Sequence, residues 1–294
     1  MIMNKIKIFW FNRYPNVGDL LGPWIVQKLS PHSTLIYSTY VTRKEALRIV
    51  IGALLRFRLP AKEYLRRLFV APPILFTIGS ILDHCNKDIV VWGSGFQNEG
   101  ETCTQGRFIA VRGYESKNRL LQLGLKIPDN LSIGDPAILT PLLYTPHVVK
   151  KHKLGIVMHN KDCDYCIQNF SQYHLISVVT SDIESFLTDM CSCQYILTTS
   201  LHGLILAHTY GIPALWMQKN WIGSDGFKFK DYFSSVQMPY AKPLQADRLI
   251  SESEEKLLKL FDNEYVLPPK EVIEQIRVRL LKSAPFEVLP KYMV

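Results

Sequence analysis

Two side chains, each at the end of an apolar stretch, suit acid and anion chemistry. His202 stands at the predicted first turn of a helix, where unpaired amides and the helix dipole favour a negatively charged ligand. An imidazole there can transfer a proton near neutral pH. Arg112 ends a predicted strand, and a guanidinium can hold a carboxylate or phosphate through two hydrogen bonds. A structural histidine and a surface ion pair are the alternatives for these positions.

Two glycine-containing loops are further candidates for ligand contact. In Asn16-Val-Gly18-Asp19 the aspartate comes at a helix start, where it either caps its own helix or hydrogen-bonds a substrate. Gly93-Ser94-Gly95 is a turn of the phosphate-cradle type, but it lacks the lysine of a P-loop and the full dinucleotide fingerprint. A plain strand-to-helix turn is therefore the alternative interpretation of the second loop.

Strands that end in small or polar residues alternate with helices along the chain. The pattern starts with a strand over Lys5–Phe11 and a helix over 20–29, and strands recur at Ile74–Ile78, Ile89–Trp92 and Phe108–Val111. This alternation predicts an α/β fold with parallel sheets. Ligands bind at the carboxyl edges of such sheets, which is where the candidate side chains lie.

The length of 294 residues exceeds what one hydrophobic core usually organises. We expect two doubly wound, Rossmann-like lobes arranged as in a glycosyltransferase-B-like fold. The first lobe is predicted over 1–145 and the second over 153–268, with a linker over 140–152 and a C-terminal helix over 269–294 that braces both. Hydrophobic residues at 47% and charged residues at 20% exclude a disordered chain.

Basic and apolar side chains coincide in a helical segment over residues 41–70. It contains eight lysines and arginines against two glutamates, within a chain of net charge +8. This combination suits the surface of an anionic membrane. The alternative is a pair of helices with solvated basic faces and inward-packed apolar faces. Nucleic acid is not an expected partner, because the aromatic residues are not interleaved with the basic ones.

The sequence predicts an intracellular, reducing environment. The N-terminal apolar stretch is too short for a signal peptide, and no run reaches the roughly 18 apolar residues of a membrane span. We expect a cytoplasmic protein, peripheral on the inner face of the cell membrane if residues 41–70 bind there. The six cysteines are expected to be buried thiols, with a zinc site from Cys163, Cys166, Cys191 and Cys193 as the alternative.

Seven short motifs, weak individually but specific in their order, resemble the polysaccharide pyruvyl transferase family. They cover about residues 5–235. They are Asn16-x-Gly18-Asp19, Gly93-Ser94-Gly95, Val111-Arg112-Gly113-x-x-Ser116, Ile133-Gly134-Asp135-Pro136-Ala137, Met158-His159, Ser200-Leu201-His202-Gly203 followed by Gly211-Ile-Pro213, and Lys228-Phe229-x-Asp231-Tyr232.

The resemblance implies a phosphoenolpyruvate donor bound in the cleft, with no cofactor and no metal. It carries over Asp19, Arg112 and His202 as the catalytic, donor-site residues. Many members have an arginine where this chain has Ser200. Either the missing positive charge is replaced from elsewhere, with Lys228 as our candidate, or the donor binds in a different position. The other expected substrate-binding residues are Asn16, Gly18, Gly93, Ser94, Gly95, Ser116, His159, Leu201 and Gly203.

The resemblance also implies a reaction. A pyruvate ketal would form on a hexose such as galactose, in a capsular or exopolysaccharide repeat unit carried on undecaprenyl diphosphate. His202 would protonate the donor, Arg112 would hold its carboxylate or phosphate, and amides near Gly203 would support the negative charge. One alternative is a nucleotide-sugar glycosyltransferase of the same fold with Asp225 or Asp231 on the ribose. The other is a non-catalytic membrane- or glycan-binding protein.

Overall fold

The computed structural model describes residues 5–219, 224–262 and 266–293, which form a mixed α/β fold. The strands are β1 (Lys5–Phe9), β2 (Thr34–Tyr37), β3 (Ile74–Phe76), β4 (Ile89–Trp92), β5 (Arg107–Val111), β6 (Ser132–Ile133), β7 (His152–Met158), β8 (His174–Ser177), β9 (Cys193–Thr198), β10 (Ala214–Gln218) and β11 (Leu244–Gln245). The helices are α1 (Val17–Leu29), α2 (Arg43–Leu55), α3 (Lys62–Phe69), α4 (Tyr114–Gln122), α5 (Thr140–Leu143), α6 (Cys163–Asn169), α7 (Ile183–Cys191), α8 (Leu201–Thr209), α9 (Phe227–Ser235), α10 (Ala246–Leu249), α11 (Glu254–Lys259) and α12 (Lys270–Ser283).

The strands build two parallel sheets, which confirms the predicted α/β class. The first sheet has the order β2-β1-β3-β4-β5-β6, and the second has the order β11-β10-β9-β7-β8. In each sheet the second strand adds to one side of the first and the third strand adds to the other. The side on which successive strands are added therefore reverses at β1 in the first sheet and at β7 in the second, although all strands run parallel. At such switch points the loops after the strands diverge and leave room for a ligand.

Continuous apolar strands explain why the sheets lie inside the molecule. All four residues of β4 and the last five of β7 are buried. Strands covered on both faces read as unbroken apolar runs, as these do, whereas half-exposed strands alternate. Burial of the strands leaves polar groups only at their ends, so the sheet edges are where chemistry can be placed.

Helix α9 joins the two sheets through buried polar contacts. Asp231 pairs with Arg112 at the end of β5, with 2.9 Å between the carboxylate and Nε. On the other side of α9, the Tyr232 hydroxyl lies 3.0 Å from Nδ1 of His208 in α8. Because both contacts are buried, α9 is fixed to the first and the second sheet at once.

Helix α12 and helix α1 also contact both halves of the chain. The Arg277 side chain donates to the carbonyl of Ile138 at 3.0 Å and to that of Thr209 at 3.2 Å. The amide of Val17 donates to the carbonyl of Val178 at 2.9 Å. These hydrogen bonds connect the part of the chain that forms the first sheet with the part that forms the second.

The predicted linker is shorter in the structure. Residues 140–143 form α5, and β7 already begins at His152, so the irregular stretch covers only 144–151. The two prolines led to the longer prediction, but Pro141 lies in the first turn of α5, where a missing amide breaks no helical hydrogen bond. The sequence reading also missed β2, α6, α9 and β11.

No helix among the described residues is long and apolar enough to cross a membrane. Within the same residues, no three histidine, cysteine or acidic side chains are grouped as metal ligands. Cys166, Cys191 and Cys193 are buried free thiols, and Cys163 is partly exposed.

Candidate active site

A cavity of about 540 Å³ opens where the carboxyl ends of both sheets meet. The loops after β1, β2, β3 and β4 form one wall, and the loops after β7, β9 and β10 form the other. Seven of the predicted site residues line it: Asn16, Asp19, His159, Ser200, Leu201, His202 and Lys228. The structure thus brings together side chains that are far apart in the sequence, at the two switch points of the fold.

His202 is the one residue of α8 that is partly exposed and not fully buried, and it faces the cavity. Its Nε2 lies 4.0 Å from Oδ2 of Asp135, and neither atom has a hydrogen-bond partner among the described residues. Burial, helped by the positive charges of Arg112 and Lys228, lowers the pKa of His202 to about 3. The imidazole is therefore neutral at pH 7. An anion that offsets those charges raises its pKa.

Gly18 determines how closely α1 approaches this histidine. A Cβ at position 18 would lie 2.4 Å from Nδ1 of His202, well inside van der Waals contact. We expect Gly18→Ala to displace the ring and to lower turnover by about 10- to 100-fold, because small misplacements of a reacting group are costly. Steady-state kinetics measures the effect.

Gly52→Ala is the matched control for this change. A Cβ there meets nothing within 4 Å, and the position is helical. It should leave activity unchanged and increase the free energy of unfolding by about 0.5–1 kcal/mol. Equal activities of the Gly18 and Gly52 variants would contradict the role of the close approach.

Asp19 lies in the first turn of α1 and also faces the cavity. Burial raises the pKa of its carboxyl to about 6. The structure shows no side-chain cap from the preceding Asn16. A carboxyl that titrates just below neutral pH is suited to accept a proton from a hydroxyl and to return it.

Arg112 lies behind the cavity wall and is 1% exposed. Its Nε donates to Asp231 and one terminal nitrogen donates to the Ser80 hydroxyl at 2.6 Å, while the other terminal nitrogen donates to the carbonyl of Phe96. Ser80 lines the cavity and Arg112 does not. The predicted direct grip on the donor is therefore absent from this geometry, and Arg112 reaches the cavity through Ser80.

Asp231 is the centre of this buried cluster. Its carboxylate accepts from the amide and the hydroxyl of Ser116, both at 2.7 Å. A Cβ at Gly95 would lie 2.5 Å from the Arg112 guanidinium carbon, and one at Gly113 would lie 1.8 Å from the Asp231 carbonyl oxygen. Ser116 and Gly95 were predicted to bind substrate, but here Ser116 hydrogen-bonds the aspartate and Gly95 leaves room for the guanidinium.

Three other predicted contacts have structural partners. The Ser94 hydroxyl donates to the carbonyl of Gly79 at 2.7 Å, and Gly93 adopts a left-handed φ of +99° against Pro136. The amide of Gly203 donates to the hydroxyl of Ser200 at 3.3 Å. That amide was expected to support the negative charge of a donor. The correction is that it is occupied by the N-cap of α8.

The family model of the polysaccharide pyruvyl transferases matches residues 16–218, from the first cavity loop to the end of β10. The chain belongs to the polysaccharide pyruvyl transferase family. It is also similar to "Uncharacterized protein L143" of Acanthamoeba polyphaga mimivirus, with 29% identity over 182 residues. The match covers 53% of this chain and 58% of that protein, so the chain spans somewhat more than half of the relative's length.

Lys228 lies beyond the part of the chain that the pyruvyl transferase model matches, in the first turn of α9. It is 8% exposed and lines the same cavity as Ser200. Burial, with smaller contributions from Arg112 and Lys161, lowers its pKa to about 8. It supplies a cation to the cavity that Ser200 also lines.

Sequence reasoning did not name Arg13 or Ser80 as site residues, and it named Asp135 and Asp231 only as motif residues, with Asp231 as an alternative ribose ligand. Arg13 and Ser80 line the cavity, while Asp135 and Asp231 lie behind it. Arg13 follows β1 at the same sheet edge as Asn16, and this position could have indicated that Arg13 lines the cavity. Nothing in the sequence pairs Asp231 with a partner 119 residues away.

The ribose ligands of the glycosyltransferase alternative have other roles here. Asp231 is fully buried in the arginine cluster. Asp225 accepts hydrogen bonds from the amides of Glu99 at 2.9 Å and Phe227 at 3.0 Å. Neither carboxylate lines the cavity of this pyruvyl transferase family member.

Proposed function

We propose that the chain moves a pyruvyl group from phosphoenolpyruvate to two hydroxyls of one sugar, giving a cyclic ketal and phosphate. One observation supports this most strongly. In a chain of this family, His202, Asp19 and Lys228 line a single cavity of about 540 Å³. They supply a proton donor, a proton acceptor and a cation, which are the three groups that the reaction requires.

The proposed steps balance without a redox cofactor. His202 gives a proton to the methylene carbon of the donor, and the first sugar hydroxyl bonds to the neighbouring carbon while Asp19 takes its proton. The carbon–oxygen bond to phosphate then breaks, and phosphate leaves with the electron pair. The second hydroxyl adds to the same carbon and gives its proton to His202, which closes the ketal ring and restores the acid. Asp19 passes the first hydroxyl's proton to the departing phosphate. Lys228 balances the charge of the donor throughout.

The proposal extends to the acceptor and to the arrangement of the two sheets. We propose a hexose acceptor such as galactose in a capsular or exopolysaccharide repeat unit, linked to undecaprenyl diphosphate on the cytoplasmic face of the membrane. We also propose that the two sheets are the two lobes of a glycosyltransferase-B-like arrangement. Two doubly wound parallel sheets whose carboxyl edges share one cavity support this arrangement.

The test is phosphate release from phosphoenolpyruvate with a panel of lipid-linked, galactose-containing acceptors. We expect release by the wild-type chain, accompanied by thermal stabilisation on adding the donor alone. Stabilisation by nucleotide sugars, with neither release nor stabilisation by phosphoenolpyruvate, would replace this proposal with the glycosyltransferase function.

Lys228 should set the alkaline limit of donor binding. Because its pKa is about 8, its positive charge is lost as the pH rises through that value. We expect kcat/KM for the donor to fall above about pH 8. Lys228→Arg should retain donor binding at higher pH, since a guanidinium stays protonated. Lys228→Met should raise KM by about 10- to 100-fold at neutral pH, where one buried charge contact is lost.

A second variant tests whether Lys228 stands in for the family arginine. In the Lys228→Met background, Ser200→Arg returns a cation to the other wall of the same cavity. Partial recovery of KM is the expected result, reduced by the lost N-cap of α8. A pH profile that is identical in wild type and Lys228→Arg would assign the alkaline limb to another group.

A further inference from the structure

The hairpin formed by α2 and α3 exposes an unusual amount of apolar surface. We call residues 43–69 the basic hairpin. It carries nine of the twenty large apolar side chains that are exposed among the described residues. They are Leu47, Ile49, Ile51, Leu54, Leu55, Phe57, Leu59, Leu65 and Phe69. Phe57 and Leu59, at the tip between the helices, are 101% and 96% exposed, so these nine apolar side chains do not pack inward, whereas Ala46 and Val50 of α2 do.

Helical spacing gathers most of these side chains on common faces. Leu47, Ile51 and Leu54 follow one another at intervals of four and three residues along α2, which places them on one side of the helix. In α3, Leu65 and Phe69 are four residues apart, while the buried Arg67 lies on the opposite side. The exposed surface is therefore continuous along each helix.

The basic hairpin is firmly attached to the first sheet. A capping box between Thr42 and Glu45 begins α2. The buried guanidinium of Arg67 donates to the carbonyls of Val41 and Val70 and to the carboxylate of Asp88, each at 2.6 Å. Because these contacts fix the hairpin, its apolar surface is formed before any partner binds.

Positive charge surrounds the apolar side chains. The exposed cations of the basic hairpin are Arg43, Lys44, Arg48, Arg56, Arg58, Lys62 and Arg66. Only Glu45 and Glu63 oppose them in this segment. Arg48, Arg56 and Arg58 line an open groove of about 450 Å³ whose lining includes no acidic side chain.

We propose that the basic hairpin is a docking surface for an anionic lipid bilayer. Its aliphatic and aromatic side chains enter the interface between headgroups and acyl chains, while the arginines bind lipid phosphates. A second copy of the chain fits this surface poorly, because a two-fold symmetric contact would set these cations against each other. Charge complementarity with an anionic surface and apolar exposure both favour the bilayer.

The position of the basic hairpin gives this docking a purpose. Tyr40 lines the cavity, and α2 begins three residues later at Arg43. A bilayer bound at the hairpin thus lies beside the cavity wall, where a sugar on a membrane lipid can reach it. This last step rests on the proposed function, whereas bilayer binding itself does not.

Co-sedimentation with vesicles tests the docking without donor or acceptor, so its outcome is separate from that of the activity assay. Vesicles of phosphatidylcholine alone are compared with vesicles that also contain phosphatidylglycerol, at low and high salt. We expect the wild-type chain to bind the anionic vesicles and to be released by salt. Absence of binding to the anionic vesicles would overturn the proposal, even if pyruvyl transfer is observed.

Two variants separate the contributions of charge and apolar surface. Arg48→Gln/Arg56→Gln/Arg58→Gln should weaken binding by about 100-fold, at roughly fivefold for each charge removed. Leu55→Ser/Phe57→Asn/Leu59→Ser should weaken it by at least about tenfold. The asparagine tolerates the left-handed φ of 53° at position 57.

Matched controls change exposed residues elsewhere in the chain. Lys256→Gln/Lys259→Gln/Lys291→Gln removes the same number of charges, and Val149→Ser/Ile167→Ser/Val278→Ser removes exposed apolar side chains. Both should bind vesicles like the wild type. Equal binding by hairpin and control variants would overturn the proposal. So would a wild-type dimer that ignores vesicles and becomes a monomer in the hairpin variants.

Discussion

His202→Ala is expected to lower phosphate release from phosphoenolpyruvate by about 10²- to 10⁴-fold, the usual contribution of a positioned proton donor. The ring faces the cavity from the first turn of α8, and its Nε2 lies 4.0 Å from Oδ2 of Asp135. Stopped and steady-state assays of phosphate release measure the loss. His32→Ala, at an exposed position outside the cavity, is the control and should retain full activity.

The low pKa of His202 adds a second readout to the same prediction. A pKa of about 3 leaves the ring neutral at pH 7. Because burial and the charges of Arg112 and Lys228 cause the shift, an anionic ligand between these groups should raise the pKa. NMR titration of the ring with and without the donor measures this change. Added imidazole should restore part of the activity of His202→Ala, and full activity in that variant would refute a proton-transfer role.

Asp231→Ala is expected to lower the free energy of unfolding by about 3–5 kcal/mol, because it leaves a buried guanidinium without its counter-charge. Asp231 and Arg112 are 0% and 1% exposed, so water does not replace the lost partner. The change also removes the acceptor of two hydrogen bonds from Ser116. The melting temperature should fall by about 10 °C, at roughly 2–4 °C for each kcal/mol.

A surface ion pair provides the comparison for Asp231→Ala. Lys259 and Glu255 are one helical turn apart, with 2.8 Å between their charged atoms, and both are exposed. Lys259→Ala should change the free energy of unfolding by no more than about 0.5 kcal/mol. Similar melting temperatures for both variants would mean that the buried cluster does not stabilise the fold.

The cavity residues were predictable because parallel strands end at the same sheet edge. Asp19, His159 and His202 each follow or begin an element next to a strand end, and this regularity is enough to place them together. The sequence order of the family motifs carried the same information. A buried strand and its polar end are local patterns, so one sequence reveals them.

The part that the sequence did not reveal depends on distant partners. Arg112 ends a strand, as predicted, yet whether it faces a ligand depends on Asp231, which lies in a helix that the hydrophobic pattern did not indicate. Likewise, Gly203 was expected to offer its amide to a ligand, but Ser200 folds back and accepts it. In both cases another group of the protein accepts the hydrogen bond that was predicted to go to a ligand. Only side-chain geometry shows this.

The buried contacts of α9 also bear on how far the cavity can open. A hinge motion that opens the cavity has to pull α9 away from Arg112 or from His208. Breaking the contact with Arg112 leaves a buried charge without its partner, which costs several kcal/mol. Widely open states of the cavity are therefore rare. The width of the cavity is therefore fixed by α9, and we expect a ligand to be selected by its shape and not through domain closure around it.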